Sequence, residues 1–237
     1  VVLVLGVVIL LAAALHRIAG LGFALIASPM LVAFLGVSEG IVVVAITGLA
    51  SALMTLALTF RRFTVRDVWG ILVISALVAI PTVSVARMLI PGVGEIIAGL
   101  CALCAVALVR STSPWVQAMS SNTLLAGVST GALIGLAGLG GPTSSAYAVA
   151  RRWGESTIPN LQVVFLVGSV INLAIRGGDA PLDAILLVVT LLAVVAGTLL
   201  GHALRRGVTG AQGIRLMLVI AAAGACAAVI RGVLELT

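Results

Sequence analysis

The sequence predicts an all-α integral membrane protein, and three observations support that prediction. Hydrophobic residues make up 62% of the 237 residues and charged residues only 8%, whereas a soluble domain is typically about 25% charged. A mean hydropathy of +1.34 implies more apolar surface than one aqueous core can bury. Apolar runs also follow one another along the whole chain, and glycine-rich stretches interrupt them at two matching positions.

Ten apolar runs are bounded by charges or by glycine and proline turns. A full crossing needs about 20 residues, within a range of roughly 17 to 25. Several runs are long enough, but 143–150 is too short, and 21–35 is marginal and contains Pro29. We predict that these two form half-helices or re-entrant segments near the middle of the membrane. The runs are Leu3–Leu15, Leu21–Leu35, Ile41–Phe60, Val68–Ile90, Ile96–Val109, Thr123–Leu136, Thr143–Ala150, Leu161–Ile175, Leu182–Leu204 and Ile214–Ile230.

The two halves of the chain resemble each other. Ala19–Ser38 aligns with Ala137–Ser156 at an offset of 118, sharing AGLG, a later glycine and the closing serine, and Asp67 aligns with Asp183 at an offset of 116. These matches keep the same order beside the short runs, which indicates an internal duplication. Five segments per half make the two copies inverted. The predicted units are a first membrane repeat at 1–109, a polar connector at 110–122 and a second membrane repeat at 123–237.

The glycine-rich breaks predict a binding site. Irregular backbone at membrane depth is tolerated only where it is buried in protein or lines a watery cavity. Half-helices whose N-termini meet near the midplane present free N–H groups and positive dipole ends, which suit an anion. Broken helices at matching positions of inverted repeats are typical of a transporter with its site between the repeats. Close helix packing through small residues is the alternative explanation.

The motifs around the breaks resemble those of one family. "GLGGPTSSAY", Gly138–Tyr147, resembles the GxGGPxxxxY signature that opens the second half of the sulfite exporter TauE/SafE family, and "HRIAGLGFALIASPML", His16–Leu31, resembles the signature of its first half. "ITGLAS", "FRRFTVRD" and "FLVGSVINL" follow in the order of that family over nearly the whole chain. The resemblance implies transport, with export favoured, of sulfite, sulfoacetate or a related sulfur-containing or carboxylate anion across a bacterial inner membrane.

The candidate substrate-binding residues are the glycines of both breaks and the polar residues near them. Arg17 attracts an anion if the first break is re-entrant, and is an ordinary interfacial residue if that segment spans fully. His16 can link transport to protons because imidazole titrates near neutral pH. Asp67 and Asp183 stand where helix N-caps are expected. The full candidate set is Arg17, Gly20, Gly22, Thr47, Gly138, Gly140, Gly141, Thr143, Ser144 and Asn172.

Other functional classes are less favoured. The arginines are scattered in ones and twos, which is unlike a nucleic-acid patch, and the Cys101–Cys104 pair lies in an apolar run without a second pair. We therefore expect no nucleic acid, metal or cofactor, and no enzymatic activity. An intramembrane protease built on Ser169 and His202 stays open as an alternative, as does a passive anion channel.

Arginine distribution predicts the orientation. With five segments per half, ten arginines fall on one side and only Arg87, Arg176 and Arg231 on the other. By the positive-inside rule the ten-arginine side faces the cytoplasm and both termini lie outside. We expect cysteine labelling from the cytoplasmic side to reach 61–66, 151–152 and 205–215. Labelling of 205–215 from the outside would overturn the five-plus-five scheme.

Overall fold

The computed structural model describes residues 1–19, 22–111, 113–178, 180, 183–204 and 210–237. All regular secondary structure in these ranges is helical, which confirms the predicted all-α class. Six of the helices (α3, α4, α5, α9, α10 and α11) are long and apolar enough to cross a membrane. The helices are α1 Val2–Ala19, α2 Phe23–Leu35, α3 Val37–Thr59, α4 Val65–Arg87, α5 Val93–Arg110, α6 Pro114–Ser121, α7 Thr123–Ala137, α8 Gly141–Ala150, α9 Thr157–Arg176, α10 Ala184–Leu204 and α11 Gly210–Leu236.

Each of the ten apolar runs corresponds to one helix, and the extra helix is α6 inside the predicted connector. Pro114 opens α6, a position at which its fixed φ suits a helix and its missing N–H costs nothing. The N–H of Gln117 donates to the carbonyl of Ser113 at 3.1 Å and closes the first turn. The connector is polar, so its hydrophobicity did not predict this short helix.

Acidic and amide side chains begin some of the later helices. Asn122 accepts from two backbone N–H groups of α7 at 2.9 and 3.1 Å, and Asp183 accepts from the N–H of Ile185 at 2.8 Å. The predicted cap at Asp183 is confirmed. The predicted cap at Asp67 is wrong, because α4 begins earlier and Thr64 occupies its N-cap position. Asp67 lies in the first turn of α4 and accepts from the hydroxyl of Ser156 instead.

Two parallel helix pairs pack through glycine. Gly197 and Gly201 of α10 leave no room for a β-carbon against backbone carbonyls of α1. Gly131 of α7 faces the backbone of α4 in the same way, and Gly135 faces the side chain of Thr82. Small residues allow this close approach. Because lipid provides no hydrophobic driving force between helices, van der Waals packing has to hold them together. The pairs α1–α10 and α4–α7 are among the most extensive helix contacts in the bundle.

The two short helices that follow the breaks, α2 and α8, lie at the centre of the bundle. Eight of the thirteen residues of α2 are buried, and so are seven of the ten residues of α8. By contrast, at most half of each spanning window is buried in the long helices, which leaves their apolar surfaces for lipid. The long helices therefore shield the breaks from hydrocarbon, which is the condition for irregular backbone at membrane depth.

The two ends of the bundle are fastened by different loops. At one end, called the basic end, the α3–α4 turn meets the start of α9, where the N–H of Thr64 donates to the side-chain oxygen of Asn160 at 3.0 Å. At the opposite end, the carboxylate of Glu95 accepts from the N–H groups of Val37 and Gly92 and joins the α2–α3 turn to the α4–α5 turn. Arg61, Arg62, Arg151 and Arg152 belong to the turns of the basic end, and Arg66 lies in the first turn of α4 beside them.

Candidate functional site

The second glycine-rich stretch ends one helix and starts another inside the bundle. α7 ends at Ala137, and Gly138 follows with a left-handed φ of +67°. The two N–H groups after α7 fold back onto carbonyls of its last turn at 3.0 Å, the arrangement in which glycine commonly closes a helix. α8 then begins at Gly141 with Pro142 in its first turn. The structure thus has the predicted interruption at this position.

The first glycine-rich stretch interrupts the chain in a similar way. α1 ends at Ala19, α2 begins at Phe23, and Gly22 precedes α2 with a left-handed φ of +99°. Any larger residue at Gly22 would meet Met217 of α11 as well as backbone strain. Gly20, another predicted site residue, lies outside the described residues. Both interruptions therefore depend on glycines in a conformation that other residues rarely adopt.

A narrow cavity lies between the two interruptions. The space open to the centres of water-sized molecules is about 50 Å³, enough for a few waters or a small ion. Its walls come from the starts of α2 and α8 and from facing stripes of α3 and α9. The only ionisable side chain among its described lining residues is His16. The other polar side chains that line it are Ser51, Gln162, Ser169 and Asn172.

Two helix N-termini face this cavity. Gly22, Phe23 and Ala24 line it at the start of α2, and Gly140 and Gly141 line it at the start of α8. The first N–H groups of a helix have no partner within the helix, and the aligned peptide dipoles place partial positive charge there. Both helices have at least ten residues, so the dipoles add over several turns. The backbone thus makes the cavity favourable for negative charge.

Gln162 provides the cavity with unsatisfied hydrogen-bonding groups. Its side chain is fully buried, and within the described chain neither its amide oxygen nor its amide nitrogen has a hydrogen-bond partner. Leaving a buried amide unsatisfied costs about 1–3 kcal/mol. A side chain that lines a polar cavity and lacks internal partners is therefore positioned for a bound molecule, either water or a ligand.

Asn172 faces the same cavity from the other end of the α9 stripe, ten residues or about 15 Å from Gln162. Its amide nitrogen donates to the carbonyls of Ile134 and Gly168 at 3.2 and 3.1 Å. Because carbonyls can only accept, these bonds fix which way the amide points. The amide oxygen is left without a partner among the described residues. Asn172 was predicted as a site residue, and the structure brings it to the cavity.

Several predicted hydroxyl donors are occupied elsewhere. Thr47 is buried and donates to the carbonyl of Val43 at 2.7 Å. Thr143 bonds Thr130 at 2.8 Å, and Ser144 donates to the carbonyl of Gly140 at 2.5 Å. None of these three predicted residues lines the cavity. A hydroxyl on a helix can satisfy itself on the preceding turn, which removes it from competition for a ligand.

The two basic residues before the first break have different positions. His16 is buried, lines the cavity and packs edge-to-face on Phe23 with ring centroids 6.4 Å apart. Arg17 lies in the last turn of α1 against Gly201 of α10 and is not among the lining residues. The structure therefore brings His16 to the cavity and leaves the predicted ligand Arg17 outside it.

Arg176 has a structural role that the sequence did not reveal. It is only 2% exposed at the end of α9, and its guanidinium donates to the carbonyl of Gly135 at 2.8 Å. Together with Asn172, one turn earlier, it satisfies carbonyls in the last turn of α7, where a cation also complements the helix dipole. Ser28 of α2 donates to the carbonyl of Ala137 as well. The four-residue spacing of Asn172 and Arg176 is the signal from which this cap could have been inferred.

The predicted site glycines divide into those that line the cavity and one that is not described. Gly22, Gly138, Gly140 and Gly141 all line it.

Comparison with protein-family models, with curated proteins and with solved structures finds no match for this chain.

Proposed function

We propose that this protein is a membrane transporter of a small anion. The observation that supports it is the cavity, in which two helix N-termini and the unsatisfied amide of Gln162 surround one narrow, buried space. Positive helix ends and N–H donors favour an anion over a cation. The multi-pass helical bundle around the cavity provides the membrane setting that transport requires.

We also propose that residues 1–109 and 123–237 are inverted copies of one unit. If α1 corresponds to α7 and α4 to α10, the parallel pair α1–α10 and the parallel pair α4–α7 are the same contact made twice. The contacts α3–α9 and α5–α11 then each join a helix to its own equivalent. The two interrupted segments, α1–α2 and α7–α8, occupy equivalent positions in this scheme. Such a site between repeats is typical of secondary transporters.

The proposed substrate is a small sulfur-containing or carboxylate anion, such as sulfite. A space of about 50 Å³ suits an ion of few heavy atoms. The class of substrate rests on the motif order that resembles the TauE/SafE family, and membership in that family and a bacterial inner-membrane location are part of the same proposal. The described lining offers amide and hydroxyl groups and one histidine, which accommodate an oxyanion without a fixed charge.

Transport is favoured over the protease alternative by where the residues lie. Ser169 lines the cavity on α9, but His202 is exposed near the end of α10 and is not among the lining residues. A serine nucleophile needs a base within hydrogen-bond reach. The proposal is tested by flux of radiolabelled sulfite and acetate into proteoliposomes, with and without a pH gradient. Absence of flux for both ions would contradict it.

Filling the cavity from the α8 side should stop transport. In Gly141→Leu the atom nearest to the new β-carbon is Cζ of Phe165, 3.8 Å away. The leucine side chain therefore has room to enter the cavity. The helix start has no left-handed φ at this position, so the backbone can accept the change. We expect sulfite flux to fall by at least about tenfold while membrane insertion is preserved. Gly178→Leu, where a β-carbon meets nothing within 4 Å, is the matched control. Normal flux in Gly141→Leu would mean that the cavity is not on the transport route.

Removing the amide of Gln162 separates a ligand contact from a structural role. Gln162→Met keeps the length of the side chain and removes both polar atoms. We expect the apparent KM for sulfite to rise about tenfold or more, because a hydrogen bond to a charged ligand contributes about 1.5–3 kcal/mol. Thermal stability in detergent should stay equal or increase, since an unsatisfied buried amide is lost. Thr190→Val, a buried position of α10 outside the cavity whose hydroxyl donates to the carbonyl of Leu186, should leave KM unchanged. A lower melting temperature with an unchanged KM would identify Gln162 as structural.

His16 is proposed to couple anion binding to protons. Imidazole changes its charge between about pH 5 and 8, and the protonated form adds a positive charge to the cavity. Anion affinity should therefore be highest at low pH and fall as pH rises. Methanesulfonate uptake measured from pH 5.5 to 8 should show this slope in the wild type and lose it in His16→Gln. His202→Gln, at the exposed second histidine, should retain the slope. An identical slope in His16→Gln would exclude His16 as the coupling group.

A further inference from the structure

The cavity between the two breaks, called the central cavity, contains an amide of fixed orientation. Asn172 is 2% exposed, and its amide nitrogen donates to the carbonyls of Ile134 and Gly168. Because carbonyls only accept, the amide cannot turn over without losing both bonds. The amide oxygen has no partner within the described chain. It is therefore the atom of this amide that a molecule in the cavity meets.

The other uncharged polar side chains of the described lining are adaptable. The hydroxyls of Ser51 and Ser169 can each donate or accept a hydrogen bond. The amide of Gln162 has no internal partner at either end, so it can present its nitrogen or its oxygen. Such groups accommodate a ligand oxygen whether or not that oxygen carries a proton. Asn172 differs from them because it offers the cavity only an acceptor.

The start of α8, which offers only donors, lies on the same side of the cavity as Asn172. Ile134, whose carbonyl binds the Asn172 amide, also packs against this helix start, because a β-carbon at Gly140 would come within 3.1 Å of its Cγ1. The first N–H groups of α8 donate and cannot accept. A ligand at this place meets donors from α8 and an acceptor from Asn172. The complementary ligand is an oxyanion with at least one unprotonated oxygen and one hydroxyl.

We propose that Asn172 makes the central cavity selective for small oxyanions that keep one O–H group, such as the hydroxyl form of hydrogensulfite, over oxyanions that have none. The ligand O–H donates to the Asn172 oxygen, and the unprotonated ligand oxygens accept from the start of α8. An anion without a proton places its lone pairs against those of Asn172 and leaves a buried acceptor unpaired, which is costly. This selectivity rests on the proposed function for the binding of an anion in the cavity, but it does not require that the anion crosses the membrane.

Two anions of the same shape and charge test the selectivity. Methylphosphonate and methanesulfonate both carry a methyl group and three oxygens on a tetrahedral centre. At about pH 5 both are singly charged, because a phosphate-type group loses its second proton only at about pH 6 or above. Methylphosphonate then has one O–H and methanesulfonate has none. Dissociation constants of the radiolabelled anions are measured by equilibrium dialysis of the detergent-purified protein at this one pH, so that the protein has the same charge state for both.

We expect methylphosphonate to bind at least about tenfold more tightly than methanesulfonate, since the second anion leaves the Asn172 oxygen unpaired. Dissociation constants that agree within about twofold, or no binding of either anion, would overturn the proposal. Gly141→Leu, which fills the cavity, should abolish binding of both anions. Binding that persists in Gly141→Leu would place the anions elsewhere and would also overturn it.

Two variants separate selectivity from a structural role. Asn172→Leu keeps nearly the same shape without polar atoms, and the ratio of the two dissociation constants should fall to about one. A purely structural role would weaken both anions equally and leave the ratio unchanged. Gln162→Met should weaken both anions and keep the ratio. A ratio that is lost in Gln162→Met but kept in Asn172→Leu would assign the acceptor to Gln162 and overturn the proposal. If Asn172→Leu does not fold, the wild-type ratio and Gln162→Met still decide.

Sulfite flux into proteoliposomes is measured in parallel, so that the two proposals fail separately. The expected ratio of dissociation constants without sulfite flux would contradict transport and leave the selectivity of the cavity standing. Normal sulfite flux with equal dissociation constants would overturn the selectivity and leave transport standing.

Discussion

The rest of the structure depends on which groups form hydrogen bonds with the backbone where two helices are interrupted inside the bundle. Hydrocarbon offers no hydrogen bonds, so every carbonyl at the end of α7 needs a protein partner. Three side chains from outside α7 provide these bonds: Ser28 from α2, and Asn172 and Arg176 from α9. The long helices have to surround the short ones closely enough for these side chains to reach. The glycine contacts of α1 with α10 and of α4 with α7 allow that closeness.

The last turn of α7 and the first turn of α8, which flank the second break, have different hydrogen-bond partners. The last turn of α7 is bound by an amide, a hydroxyl and a guanidinium, all donors. The first turn of α8 and the first turn of α2 face the cavity instead. An interrupted helix has one negative and one positive end, and this bundle neutralises the negative end with its own side chains. The positive ends of α2 and α8 face the cavity without such side chains, and the proposed preference for anions rests on this asymmetry.

Much of the fold could be predicted from the sequence because its signals are local. Apolar runs identify helices, and Gly138 with Pro142 identifies an interruption, because few other residues accept those backbone conformations. The site itself was only partly predictable. A hydroxyl such as that of Thr47 or Ser144 can bond either a ligand or the preceding turn, and only the tertiary structure shows which. Asn172 was predicted from its position in the helix that follows the second break, where polar residues of both halves were expected to share a cavity. Arg176 was not, because an arginine at the end of an apolar run usually lies at the interface, and its burial depends on where α7 ends.

The described lining of the central cavity contains no permanently charged side chain, which fits the proposed transport function. A fixed guanidinium in the narrow central cavity would bind an anion tightly and slow its release, whereas neutral donors bind it only moderately. A pathway conducts when binding is favourable enough to admit an ion and weak enough to release it. In the proposed mechanism the central cavity relies on helix ends, on Gln162 and on His16. In this proposal a proton that leaves His16 weakens anion binding and so favours release, which links the anion step to a proton step.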